Sequence, residues 1–263
     1  MALPCAVGLL ATRNRPAFAH RAAHMFFAQC YEGPRRLYVY DDGESPFELC
    51  ETLRAYDVTV VRHEAISLGE KRNRMLKYAT ARDPDGIFFM WDDDDFHGPF
   101  RLARQIGALL ETPTADGCLF CPYFSYNTRT GQLFRARQVE INGLKLRVGA
   151  DGTLALRRRL WERLPLDARP ELAGINEGWR WLAEPHDRVI AVDAQLDYVV
   201  VRHGGNVTWH ALPEEPADSR FWERITDERA AVVAKILAGA AATDCRSWPV
   251  QAQPPSADPR TVR

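Results

Sequence analysis

Ile87-Phe88-Phe89-Met90-Trp91-Asp92-Asp93-Asp94-Asp95 is the stretch that decides the fold. Its apolar half is short and has no helical spacing, so it reads as a strand buried on both faces. Four carboxylates then follow within a few ångströms of one another and repel unless solvent screens them or a cation neutralises them. In an extended chain Asp92 and Asp94 point to one side and Asp93 and Asp95 to the other. Such a pair suits a hard divalent cation bound through oxygen. Ligands in open α/β sheets gather beyond the carboxyl ends of strands, which is where these aspartates fall. The competing reading is a solvated acidic turn. A calcium loop is excluded: counting from Asp93 puts Gly98 at the sixth position but Arg104 where a bidentate Glu is required.

Working outward, the flanking sequence alternates strand-like and helix-like segments. Strands are expected at 5–11, 37–40, 58–62 and 87–91, with helices at 17–29, 46–56, 69–81 and 99–111. That alternation predicts a parallel sheet with helices on its faces. The second half is less regular. Strands are expected at 117–125 and 133–139 around a turn at 127–131, then at 154–156, 189–192 and 197–202. Helices are expected at 157–164, 175–183 and, long and amphipathic, 219–241. From residue 243 the chain is rich in Pro, Ser, Asp and Arg and reads as a disordered tail.

The 263 residues suit one large domain, or one with an extension, and 46% hydrophobic with 26% charged residues places the chain among soluble globular proteins. A net charge of −1 gives no global field toward nucleic acid or an anionic membrane. No signal peptide or membrane-spanning run is read at the N-terminus, and the six cysteines form no framework of spacings. Cys118 and Cys121 read as part of a buried strand rather than a zinc site, and the expected setting is the reducing cytoplasm.

Several segments together resemble the family 2 glycosyltransferases of GT-A fold, over roughly residues 4–210. They are Ala11-Thr12-Arg13-Asn14-Arg15-Pro16, Tyr40-Asp41-Asp42-Gly43, Leu68-Gly69-Glu70-Lys71-Arg72-Asn73 and Trp91-Asp92-Asp93-Asp94-Asp95-Phe96. Gly152-Thr153-Leu154, Arg158-Arg159-Leu160-Trp161-Glu162-Arg163 and Arg202-His203-Gly204-Gly205-Asn206 follow. The resemblance implies an α/β, Rossmann-like nucleotide-binding mixed sheet flanked by helices. It divides the chain into a GT-A domain at 1–212, a C-terminal helical extension at 213–242 and a disordered tail at 243–263. The implied activity is inverting, metal-dependent transfer of a sugar from a nucleoside-diphosphate sugar, with UDP as the expected nucleotide, to a hydroxyl acceptor.

The implied metal is Mn²⁺ or Mg²⁺, on Asp92, Asp94 and His203. Thr12, Arg13, Arg15, Asp41 and Asp42 would border the nucleoside, with an arginine meeting phosphate. Lys71, Arg72 and Asn73 would face the donor from a helix N-terminus, and Asp92 and Asp93 would also contact it. Glu177 is the implied base, with Asp151 in reserve, although Gly178 stands where the family carries a second acid. Trp179 and Trp181 read either as acceptor platforms or as helix core. The acceptor stays open among glycans, small molecules, proteins and DNA bases; the last would need Arg35-Arg36, Arg135/Arg137 and Arg157-Arg158-Arg159 to converge on one face. The alternatives are a nucleotidyltransferase, which normally shows a glycine-rich loop lacking here after the first strand, and a non-catalytic nucleotide-sugar binder.

Overall fold

The computed structural model of the protein describes residues 2–136, 139–141, 144–146, 151–168, 181, 184–185, 187–203 and 222–238. Its first half follows the alternation read from the sequence: β1 (Ala6–Thr12), α1 (Pro16–Phe27), β2 (Arg35–Asp41), β3 (Val58–Arg62), α2 (Leu68–Arg82) and β4 (Ile87–Met90). β5 (Phe96–His97), α3 (Arg101–Glu111), β6 (Gly117–Phe120), β7 (Phe124–Asn127), β8 (Gln132–Ala136) and the hairpin β9 (Val139–Ile141)–β10 (Leu144–Leu146) come next. The chain continues as β11 (Ala155–Arg157), α4 (Arg158–Arg163), β12 (Val189–Val192), β13 (Tyr198–Arg202), β14 (Trp222–Ile225) and α5 (Glu228–Ala238).

The main sheet has the order β12-β6-β11-β4-β1-β2-β3. β4, β1, β2 and β3 are parallel, and β11 runs antiparallel between β4 and β6. Alternate residues of the parallel strands enter two cores, which is why their central residues are apolar. Leu10, Val39, Ile87, Phe89 and Trp91 pack with Ala22, Phe26, Leu102 and Ile106 of α1 and α3. Val7, Leu9, Tyr38, Phe88 and Met90 pack with Met75, Leu76 and Ala79 of α2 and with Leu160 of α4. After β1 the chain moves outward through β2 and β3, then returns to β4 on β1's other side. The crevice at this switch lies beyond the carboxyl ends of β1 and β4, and opens directly onto the aspartates.

Three expectations are corrected. Residues 46–56 form only a 3-10 turn at Glu51–Ala55, not a helix. The single strand expected at 117–125 is two: β6 ends at Phe120, the chain passes through a cis Cys121–Pro122 peptide, and β7 belongs to another sheet. That second sheet, β14-β8-β7-β13-β5, carries α5 on a core of Phe96, Phe124, Val199, Ile225 and Val233. The third correction is the helix expected at 219–241: its residues 222–225 are the strand β14, paired antiparallel with β8, and helix is found at 228–238. The helix expected at 175–183 lies outside the described residues except for Trp181, which is buried and donates to the Leu164 carbonyl at 2.6 Å, a core role. The tail from 243 also lies outside them.

Candidate active site

Beyond Met90 the chain does not stay extended. It bends at 93–95, so the expected alternation of the four aspartates gives way to a fan in which Asp93 and Asp94 share Arg15 while Asp92 and Asp95 have other partners. Asp92 accepts from Arg72 at 2.6 Å. Asp93 accepts from Thr12 Oγ1 at 2.8 Å and Arg15 at 2.5 Å. Asp94 Oδ2 accepts from Arg15 at 2.8 Å and lies 3.3 Å from His203 Nε2. Asp95 is buried away from the crevice, where it accepts from the Tyr198 hydroxyl and from the Val201 amide at 3.0 Å. The last aspartate therefore joins the two sheets.

Burial raises the Asp93 carboxyl to about 7, against the opposing pull of Arg15. Asp94 is also desolvated, yet hydrogen bonding from His203 and the charge of Arg15 hold it below the usual carboxylate range. Burial pushes Asp95 well above that range.

Beneath the loop lies Arg101, whose importance the sequence did not signal. It is fully buried and donates to His97 Nδ1 at 2.5 Å, the Met90 carbonyl at 2.8 Å and the Gly152 carbonyl at 2.6 Å. Its guanidinium sits between the rings of Trp91 and Tyr198, 4.7 and 5.0 Å from their centroids. Burial and Arg101 hold His97 well below its ordinary pKa, and its two bonds, with Nε2 donating to the Asp92 carbonyl at 2.9 Å, assign the proton to Nε2. One arginine thus ties the end of β4 to the turn at Asp151–Thr153. The only available signal was Arg101's place in the first turn of an otherwise amphipathic helix, which ordinarily means a solvated face.

The ends of β1 and β2 form the crevice wall, Thr12 pairing in register with Asp41. Asn14 takes a left-handed conformation, φ 55°, and its Oδ1 accepts the Glu44 amide at 2.7 Å. Gly43 approaches so closely that a Cβ would lie 2.8 Å from that oxygen, so a side chain there would separate the two loops. Arg13 is exposed at the crevice mouth. Asp41, expected beside the nucleoside, has both oxygens engaged within its loop: Oδ1 by the Gly43 amide at 2.9 Å, Oδ2 by the Phe47 amide at 2.8 Å and Arg62 at 3.0 Å.

α2 opens with Ser67 accepting the Glu70 amide at 3.3 Å. Lys71 is buried against Asp42 at 2.5 Å, and burial lowers its pKa. Arg72, also buried, reaches Asp92 and comes within 3.5 Å of Asp151. Asn73 departs from expectation. Its Oδ1 accepts from Trp161 Nε1 and the Leu166 amide, and its Nδ2 donates to the Leu166 carbonyl, all at 3.0 Å. It fastens α2 to α4 and does not face the crevice.

Thr12, Arg15, Asp42, Lys71, Arg72, Asp92, Asp93, Asp94, Asp151 and His203 therefore converge. Glu177, Gly178 and Trp179 lie outside the described residues. Among the described residues no three acidic, histidine or cysteine side chains gather as a metal cage. Asp92, expected to share an ion with Asp94 and His203, is turned by the bend toward Arg72 and Asp151. Asp94 Oδ2 and His203 Nε2, 3.3 Å apart, remain compatible with neighbouring ligands on one ion, since bonds of about 2.1 Å at right angles place donors about 3 Å apart. A small divalent ion commonly takes one or two protein ligands and completes its shell from phosphate and water. That pair fits such an ion.

The profile of Glycosyl transferase family 2 matches residues 9–164, more than half of the chain. No curated protein matches the sequence. Among solved structures, S. aureus TarS 1-349 in complex with UDP superposes with a TM-score of 0.54 at 17% identity, covering 76% of this chain and 61% of that one. The mannosyltransferase PcManGT from Pyrobaculum calidifontis, in complex with GDP-Man and Mn²⁺, gives 0.50 at 16%, covering 80% and 59%. The chain thus spans about three fifths of the length of these two structures. From the parallel strands, the switch-point crevice and the profile match together, the chain belongs to glycosyltransferase family 2 and has the GT-A fold.

Proposed function

We propose that the protein transfers a sugar from a nucleoside-diphosphate sugar, a UDP-sugar in our reading, to a hydroxyl acceptor with inversion, using Mn²⁺ or Mg²⁺. The observation that carries this is the convergence of buried Thr12, Asp42, Lys71 and Arg72 with Asp92, Asp93 and Asp94 at the switch-point crevice of a family 2 fold. Asp42 and Thr12 border the nucleoside, while Arg13, Arg15 and Lys71 supply cations for the diphosphate. Asp94 and His203 would hold the metal, which supplies Lewis-acid neutralisation of the leaving diphosphate. Arg72 orients Asp92 and Asp151 toward the sugar. In transfer, the acceptor oxygen bonds to the anomeric carbon as the bond to the diphosphate oxygen breaks, and the acceptor proton passes to a carboxylate. Glu177 is our first choice of base and Asp151 the second.

A nucleic-acid acceptor is disfavoured because each arginine cluster has a described member engaged by an acid. Arg36 pairs with Asp57 and Asp83, Arg135 with Asp193, and Arg159 with buried Asp116. We retain 1–212 as the catalytic domain, 213–242 as its extension and 243–263 as a tail. A cytoplasmic setting is part of the same reading. No helix among the described residues is long and apolar enough to cross a membrane.

The test is release of nucleoside diphosphate from a panel of UDP- and GDP-sugars with Mn²⁺, for the wild type, Asp94→Ala and Asp151→Asn. Slow metal-dependent hydrolysis of one donor, abolished in Asp94→Ala, supports the reading. No release from any donor, with or without hydroxyl acceptors, would leave a nucleotide-sugar binder.

A further inference from the structure

The Asp94 oxygen that a divalent ion would take is already held by a cation of the chain. Arg15 spans two carboxylates, one nitrogen 2.5 Å from Asp93 Oδ1 and the other 2.8 Å from Asp94 Oδ2, and the latter oxygen is the one 3.3 Å from His203 Nε2. The surroundings favour this grip. Phe18 stacks on His203 at 5.1 Å, with the Arg15 guanidinium 5.9 Å from its ring. The backbone beneath is fixed: Pro16 opens α1, the Arg15 carbonyl accepts the Ala19 amide at 3.0 Å, and Asn14 is pinned to Glu44. Any rearrangement must therefore come from the Arg15 side chain, which is 26% exposed and can swing outward.

A guanidinium and a divalent ion sharing one carboxylate oxygen repel each other strongly in a partly buried site. An ion arriving alone must expel Arg15 without offering it another anion. An ion arriving with a diphosphate brings one, and arginine matches phosphate oxygens well. Resting on the metal-dependent reading above, we propose that Arg15 is a built-in counter-cation that makes metal binding conditional on the donor's diphosphate. It holds Asp94 when the crevice is empty and passes to phosphate when the donor arrives. Because such linkage is reciprocal, metal and nucleotide each strengthen the other.

The test is Mn²⁺ binding followed by the electron-spin resonance of free Mn²⁺, for wild type and Arg15→Gln, alone and with UDP or GDP, against protein-free nucleotide controls. Arg15→Gln is expected to bind Mn²⁺ alone more tightly than wild type by a factor of about 5 to 150, the ordinary range of such couplings, and to show a smaller gain with nucleotide. Adding His203→Ala should remove that gain in affinity, locating it at this pair. Arg15→Lys keeps the charge but not the two-pronged grip and should shift in the same direction, which serves if the glutamine variant folds poorly. Variants that bind Mn²⁺ alone no more tightly than wild type would overturn the role of Arg15 and leave the metal site standing. Absence of Mn²⁺ binding in every protein, with and without nucleotide, would overturn both.

Discussion

Replacing Arg101 by methionine, similar in length and without charge, removes the group on which the aspartate loop rests. The substitution strands four acceptors in the interior: the carbonyls of Met90 and Gly152, the Nδ1 of His97 and the Oε1 of Gln105, which lies 3.3 Å from Arg101 Nε. Burial lowers the Arg101 pKa only to about 10, so the residue is charged at neutral pH and its positive charge also faces Asp92 and Asp95. An orphaned buried acceptor costs about 1–3 kcal/mol. With partial relaxation the total is about 3–5 kcal/mol, the range for breaking a buried charged network on one side. Hydrophobic replacement of whole ion pairs is often harmless, but two of these partners are backbone carbonyls and cannot be replaced along with the arginine. For a protein of this size the loss corresponds to a melting point lower by about 6–20 °C. Urea titration followed by circular dichroism measures it directly, with Arg101→Lys expected between wild type and Arg101→Met. A methionine variant within about 1 kcal/mol of wild type would refute the reasoning and reduce Arg101 to a tolerated passenger.

Lys71→Met should cost about 3–5 kcal/mol in the same titration because Asp42 is left buried and unpaired, and adding Asp42→Asn should recover part of the loss; strictly additive losses would contradict the pairing. Gly152→Ala places a Cβ against Asp92 Oδ2 and the Tyr198 hydroxyl and should destabilise by about 1–3 kcal/mol. Gly107→Ala, in α3 with open space around it, should instead stabilise by up to about 1 kcal/mol, so equal effects of the two would contradict the packing. Burial raises the Cys118 thiol from 9.0 to about 12. The folded state therefore keeps its proton where the unfolded state releases it, and stability is full below pH 9 and declines toward pH 12. Cys118→Ala should flatten that decline by up to about 1.4 kcal/mol per pH unit, and parallel wild-type and variant curves would exclude the effect.

The half of the fold that the sequence disclosed is the half whose signal is local. β1, β2 and β4 are buried on both faces, so each carries a bounded apolar run, and the aspartates after Trp91 mark where the central one ends. The second sheet was hidden because its strands are joined by distant pairings, such as β5 with β13 and β8 with β14. Nothing local in residues 117–125 tells that β6 and β7 enter different sheets. The site divides in the same way. Thr12, Asp42, Lys71, Arg72 and Asp93 stand at strand or helix ends and were legible from position. Asp41, Asn73 and Asp95 have the right chemistry at similar positions, yet their partners are a loop amide, the α4 segment and β13. Side-chain direction at a bend is set by those partners, which a reading of spacing alone does not contain. Arg101 was missed because a buried arginine and a solvated one look alike in a helical pattern.

The proposed function requires the crevice beyond β1, β2 and β4 to bind a nucleoside diphosphate together with a divalent cation. The most direct measurement is calorimetric titration of UDP and GDP into the wild type and Asp94→Ala, each with Mn²⁺ and with chelator. Saturable, one-to-one binding of one nucleotide is expected, requiring Mn²⁺ in the wild type and lost in Asp94→Ala. Binding of equal strength with chelator, or in Asp94→Ala, would contradict it and leave the four aspartates as a structural corner, three of them held by arginines.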